Sequence, residues 1–244
     1  MRLQKRKGPG TVASAVIIFS LAICSASAST IGPITVSGSS NPYLAGMPSG
    51  STCCSGDAAP GQSPVQVLGL ALTPGTALTF SVTGSVNFFA AAPTDPPDGG
   101  GFFGGTPSAN GIAGMNAPVD ALVGVFLDST QPSLSAAPAG LDFSVLGLNF
   151  SSLSPGLKQV FFIGDGLTGN GTGSVQQFII PTGTTRLFLG TVDGFGWFNN
   201  TGSFSVSITG DGASSVPEPN SIFLVGLGLV STLLIRRKLP ALLG

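Results

Sequence analysis

The chain has 244 residues, a formal net charge of −1, three cysteines and no histidine. Without imidazole, neither a Ser-His-Asp nor a Cys-His nucleophile nor a histidine-ligated metal can be built, which excludes most hydrolase chemistry. Of the nine basic residues only Lys158 and Arg186 fall between Ser29 and Ser215, against nine aspartates; such an acidic surface repels phosphate backbones, so no nucleic-acid partner is expected, while its oxygens suit hard cations such as calcium.

At the N-terminus Arg2, Lys5, Arg6 and Lys7 precede an apolar run from Val12 to Ile23, and Ala26-Ser27-Ala28 is the small-residue pattern that signal peptidase cleaves after. Residues 1–28 are therefore expected to be a secretory signal peptide, with signal peptidase and the secretion machinery as partners. A lipoprotein reading through Cys24 competes with it, and the bulky Ile23 before that cysteine fits it poorly. Residues 29–63 are rich in Ser, Gly and Pro and read as a flexible linker. Within them Cys53 and Cys54 either form a vicinal disulfide or pair between chains in an oxidising compartment, and two cysteines alone make no tetrahedral zinc site.

Residues 64–211 carry Gly, Pro, Asn and Asp at roughly ten-residue intervals, with short runs of Val, Ile, Leu, Phe and Thr between them, the spacing of an all-β antiparallel sandwich or barrel. The expected strands are 65–72, 78–82, 121–127, 159–163, 175–180, 186–192 and 203–209. In the last, Phe204, Val206 and Ile208 alternate with Ser203, Ser205, Ser207 and Thr209, which predicts one buried and one hydroxyl-lined face. Residues 141–153 have mixed spacing, read as one helical turn or a long loop. Gly164-Asp165-Gly166-Leu167-Thr168-Gly169 matches GxGxxG, but no helix follows to face a pyrophosphate, so a hairpin loop with Asp165 exposed at its tip is expected.

Residues 212–244 close the chain with Pro217-Glu218-Pro219, the uncharged stretch Ser221 to Ile235, and Arg236-Arg237-Lys238. As a helix the apolar stretch rises about 22 Å against a hydrocarbon core of about 30 Å, a marginal single transmembrane span. The basic cluster keeps the C-terminus cytoplasmic, and the prolines leave Glu218 in an extended, accessible segment. An ordinary tail anchor with incidental prolines is the bland account. Signal peptide, Val-Pro-Glu-Pro, short apolar helix and basic terminus together resemble a PEP-CTERM protein. That resemblance implies exosortase as partner, inner-membrane anchoring before processing, and a cell-surface or extracellular destination afterwards.

Within the exported part, "RLFLGTVDGFGWFNNTGSFSVSI", residues 186–208, resembles the terminal hairpin of the calcium-dependent galactose-binding bacterial lectins, a small jelly-roll family. The resemblance implies a jelly-roll sandwich and a calcium held by Asp193, Asn199 and Asn200, with a main-chain oxygen at Phe88 from the similar stretch at 72–89. Sugar hydroxyls would complete the coordination sphere, since calcium takes six to eight oxygens. Relative to those lectins the loop is one residue shorter and lacks their threonine. Their sugar-contacting histidine has no counterpart, and Asp95 and Asp98 are the residues available for hydroxyl recognition. Trp197 either stacks on a pyranose face or packs as satellite core.

Two functions follow from these readings. One is an exported carbohydrate-binding module holding matrix polysaccharide through calcium, without catalytic activity. The other is a structural component of the exopolysaccharide matrix, with the Asp/Asn loop closing a hairpin through local hydrogen bonds.

Overall fold

The computed structural model describes residues 28–210; the expected signal peptide up to Ser27 and the expected sorting tail, Pro217, Glu218, Pro219, Arg236, Arg237 and Lys238 included, lie outside the described residues. Among the described residues no helix is long and apolar enough to cross a membrane. The chain is built mainly of strands, β1 to β16. Five of them, β1 (Ser29–Ser37), β16 (Thr201–Gly210), β5 (Ala77–Asn87), β14 (Gln177–Ile179) and β10 (Ser152–Leu153), form one sheet in that order. A second sheet runs β11 (Val160–Phe162), β8 (Leu122–Leu127), β15 (Arg186–Thr191) and β4 (Val65–Gln66).

Alternation builds the first sheet. Phe204, Val206 and Ile208 of β16 and Leu78, Phe80 and Val82 of β5 are buried, while Ser203 and Ser205 stay exposed. The ten-pair register from Thr201–Asn87 to Gly210–Leu78 brings the two inward sets together. In the second sheet β8 is buried along its whole length. Its centre is Gly124, where a side chain would come within 2.5 Å of the Phe161 ring. The inner faces meet in one core, with Phe161 of β11 5.7 Å from Phe178 of β14. Pairing is antiparallel apart from two short parallel contacts, β10 with β14 and β7 (Met115–Pro118) with β9 (Leu141–Asp142).

The expected linker is instead part of the fold. Ser29–Ser37 pairs with β16, and Val36 enters the core. Asn41 caps a 3-10 turn at Pro42–Leu44 by accepting from Tyr43 N at 2.8 Å, and this turn packs on β8 and β15 with Tyr43 and Leu44 buried. Thr52–Cys53 and Asp57–Ala58 form a short hairpin, β2 and β3, around a Cys53–Cys54 disulfide. An edge strand takes its hydrogen bonds from a neighbour and needs few apolar residues, so a Ser/Thr-rich composition hides it.

Two more expected strands change in detail. Of residues 65–72 only Val65–Gln66 joins a ladder, opposite Leu189 and Phe188, and Leu68 points to solvent. Residues 175–180 divide because buried Gln176 turns its amide inward, donating to Leu148 O and Phe150 O at 2.7 and 2.9 Å. The stretch 141–153 holds a single turn of helix, α1 (Phe143–Leu146), capped by Asp142. The glycine-rich loop leads into the hairpin β12 (Leu167–Gly169) and β13 (Thr172–Val175), as expected. Its Asp165, however, is buried, accepting from Leu167 N and Gly171 N.

Candidate functional site

The ends of β5, β8 and β15 and the start of β16 converge on one edge of the core. Phe88 follows the last β5–β16 pair, Asn87 with Thr201. The β8–β15 ladder ends at Leu122 with Thr191, and two residues further along each strand stand Asp120 and Asp193. Bonds from Asp120 N to Val192 O (2.9 Å) and Val192 N to Ala121 O (3.0 Å) hold that register. Asn199 ends the 3-10 turn Trp197–Asn199 and Asn200 caps it; Asn199 O accepts from Ala90 N at 2.9 Å. The expected Asp193, Asn199, Asn200 and Phe88 are thus brought to one place.

Asp193 is buried, and its Oδ1 accepts from Phe195 N at 2.9 Å. Thr106 Oγ1 fixes the same residue by donating to its carbonyl at 2.6 Å. Burial pushes the Asp193 carboxyl above the ordinary carboxylate range, against the stabilising N–H of Phe195 and amide of Asn200; the charge of Asp57 adds to the upward push. Asn200 Nδ2 donates to Gly38 O at 3.1 Å. That leaves Asn200 Oδ1 without a partner, and Asn199 Oδ1 likewise, both shielded from solvent.

Asp120, the residue before the expected strand 121–127, belongs to this edge. It is wholly buried, its Oδ2 accepts from Phe88 N at 3.0 Å, and its Oδ1 has no partner. Unpaired buried oxygens are costly, and three at one edge mark a place where donors or a cation are wanted. The sequence signal was faint: an aspartate at the mouth of an apolar strand, recognisable only once β8 is registered against β15.

Asp95 returns beside the end of β5, exchanging backbone hydrogen bonds with Val86. With Asp98 it lines a cleft of about 480 Å³ whose other walls include Phe103, Asn149, Thr168 and Asn170. Asp98 is partly committed, since its Oδ1 accepts from Asp165 N at 3.1 Å. Burial, with the Asp165 charge adding, moves the Asp98 carboxyl up, and the Asp165 N–H opposes it.

Trp197 is not a stacking platform. It has no exposed surface, donates from Nε1 to Thr191 O at 2.8 Å and packs edge-on against Tyr43 at 5.9 Å. Its N–H donates to buried Asp57, which also accepts from Asn41 Nδ2. The residue is core because Tyr43 and Asp57, from the segment expected to be a linker, enclose it. Phe89, Phe102, Phe103, Phe195 and Phe198 are the exposed phenylalanines of the described residues; Phe103 opens the strand β6 (Phe103–Thr106) and Phe198 lies in the 3-10 turn Trp197–Asn199.

Among the described residues no group of three or more His, Cys, Asp or Glu side chains is arranged for a metal. A cation at this edge would depend on amide and main-chain oxygens beside carboxylates, a donor set that suits calcium rather than zinc.

Comparison with protein families finds the PEP-CTERM protein-sorting motif over residues 215–238. The chain thus carries the signal for export, membrane anchoring at its C-terminus and exosortase processing. No curated protein and no solved structure matches it.

Proposed function

We propose that this exosortase-sorted protein is a calcium-dependent carbohydrate-binding module of the cell surface or extracellular matrix, a binding protein rather than an enzyme, with a galactose-lectin-like jelly-roll sandwich. The observation that carries the reading is the pair of shielded, unpartnered amide oxygens, Asn199 Oδ1 and Asn200 Oδ1, beside buried Asp193. A calcium ion there would supply coordination sites for two sugar hydroxyls. Asp193, Asn199, Asn200 and the main chain at Phe88 would hold it. Asp95 and Asp98, which line the neighbouring cleft, would accept hydroxyl hydrogen bonds.

The apolar face of a pyranose needs an aromatic neighbour. With Trp197 in the core, that part falls to the exposed rings of Phe89 and Phe195, which follow Phe88 and Asp193 closely in the chain. The test is a glycan array probed with residues Ser29 to Ser215, with calcium and with chelator. Calcium-dependent retention of one sugar class supports the module. Retention of none, or retention indifferent to chelator, favours the structural matrix component.

A further inference from the structure

We infer that Asp120 is a metal-ligating residue of the proposed calcium site, supplying a carboxylate oxygen from just before the start of β8. The inference rests on the calcium reading and extends it to a residue outside the terminal hairpin.

Four observations meet at this side chain. Asp120 has no exposed surface, yet its Oδ1 has no hydrogen-bond partner. Ionised without a partner, a carboxylate there would be among the most unfavourable groups a fold can bury. Its other oxygen accepts from the N–H of Phe88, so the carboxyl is held against the residue whose main chain is expected at the site. The carboxyl of Asp95, close enough to share a proton with it, and more weakly the charge of Asp193 both act on it. Finally, its backbone is left-handed, at φ +71°, a conformation that aspartate adopts more readily than most residues and that turns the chain into β8.

Among the described residues no protein cation reaches this carboxyl. Lys158 and Arg186 are the two basic side chains of the described residues. Lys158 Nζ donates to Ser135 Oγ and Ala136 O, and Arg186 to Asp128 O and Thr130 O. Packing alone would be served at position 120 by asparagine or glycine, which adopt the same backbone without an ionisable carboxyl. A divalent cation accounts for what packing does not: it gives Oδ1 a partner and uses the unpartnered oxygens of Asn199 and Asn200 at the same edge.

The test is calorimetric titration of calcium into the full chain purified in detergent, comparing wild type with Asp120→Asn. The variant retains an oxygen for Phe88 N but loses the charge and the free carboxylate oxygen. A dissociation constant raised tenfold or more supports the assignment. A constant within twofold of wild type overturns it while leaving the calcium reading intact, whereas a wild type that takes up no calcium overturns both. Should the variant fail to fold, the wild type labelled with 13C-aspartate answers instead. Its calcium-minus-chelator infrared spectrum should show two or more aspartate carboxylates changing environment, and a single one would remove Asp120 from the site.

Discussion

Asp120 and Asp193 lie buried on either side of the last hydrogen bonds between β8 and β15, where Val192 accepts from Asp120 N and donates to Ala121 O. Two acidic side chains would not be buried near each other at a dry edge for packing alone, because the charge of one raises the cost of ionising the other. A proton or a cation must be shared there.

The proton has a measurable consequence. Burial, then the neighbouring Asp95, push the Asp120 carboxyl up to about 8 from an ordinary 3.8, with Asp193 contributing less and the Phe88 N–H opposing. Between those values the native state holds a proton that the unfolded chain has released, so stability falls as pH rises. The contribution is complete below about pH 4 and gone once pH passes about 8. Asp57, Asp98 and Asp193, all raised chiefly by burial, act in the same direction. In chelator at constant ionic strength, the melting temperature should therefore drop by several degrees from pH 5 to pH 9. A rising melting temperature across that window would contradict the arrangement.

Trp197 and the exposed phenylalanines should separate stability from binding. Trp197→Ala removes a fully buried indole and its bond to Thr191 O, and should cost about 3–5 kcal/mol in denaturant unfolding. Phe89→Ala and Phe195→Ala lie on exposed loops and should change stability by about 0.5 kcal/mol or less. Glycan affinity should respond in the opposite way, weakening about tenfold for the loop variants, the loss of roughly one aromatic contact. Equal glycan affinity in wild type and both loop variants would remove these rings from the binding surface.

The N-terminal segment should prove indispensable. A chain beginning at Ala59 or Pro64 lacks β1, the Tyr43 turn and Asp57, and so uncovers β16 and strips Trp197 of two neighbours. Circular dichroism of that truncation should show no cooperative melt, while a chain beginning at Ser29 should melt in one step. A cooperative melt for the shorter chain would return residues 29–63 to the role of linker.

How much of this was legible in the sequence depends on distance along the chain. The alternation in Ser203–Thr209 and the apolar run of β8 identified buried strands because both signals are local. Asp193, Asn199 and Asn200 were legible for the same reason, lying within one hairpin. Asp120 was not, because its role appears only when β8 is registered against β15, some seventy residues later in the chain. Whether Trp197 stacks on sugar or packs as core was not legible, since its covering partners, Tyr43 and Asp57, come from a stretch whose composition imitates a linker. Asp165 hid its burial in the same way, its carboxylate being consumed by the N–H groups of its own loop.

The central claim is that the Asp/Asn edge binds calcium, and the most direct measurement is the melting temperature of the wild-type protein titrated with calcium to millimolar concentration, beside Asp193→Asn. Calcium bound only to the native state stabilises it by about 2.7 kcal/mol at a hundred times the dissociation constant. For a domain of this length that is a rise of several degrees. Asp193→Asn keeps the shape of the side chain and removes the charge that compensates the cation's lost water, so its melting temperature should not respond to calcium. A wild type whose melting temperature is the same in millimolar calcium and in chelator would contradict the claim.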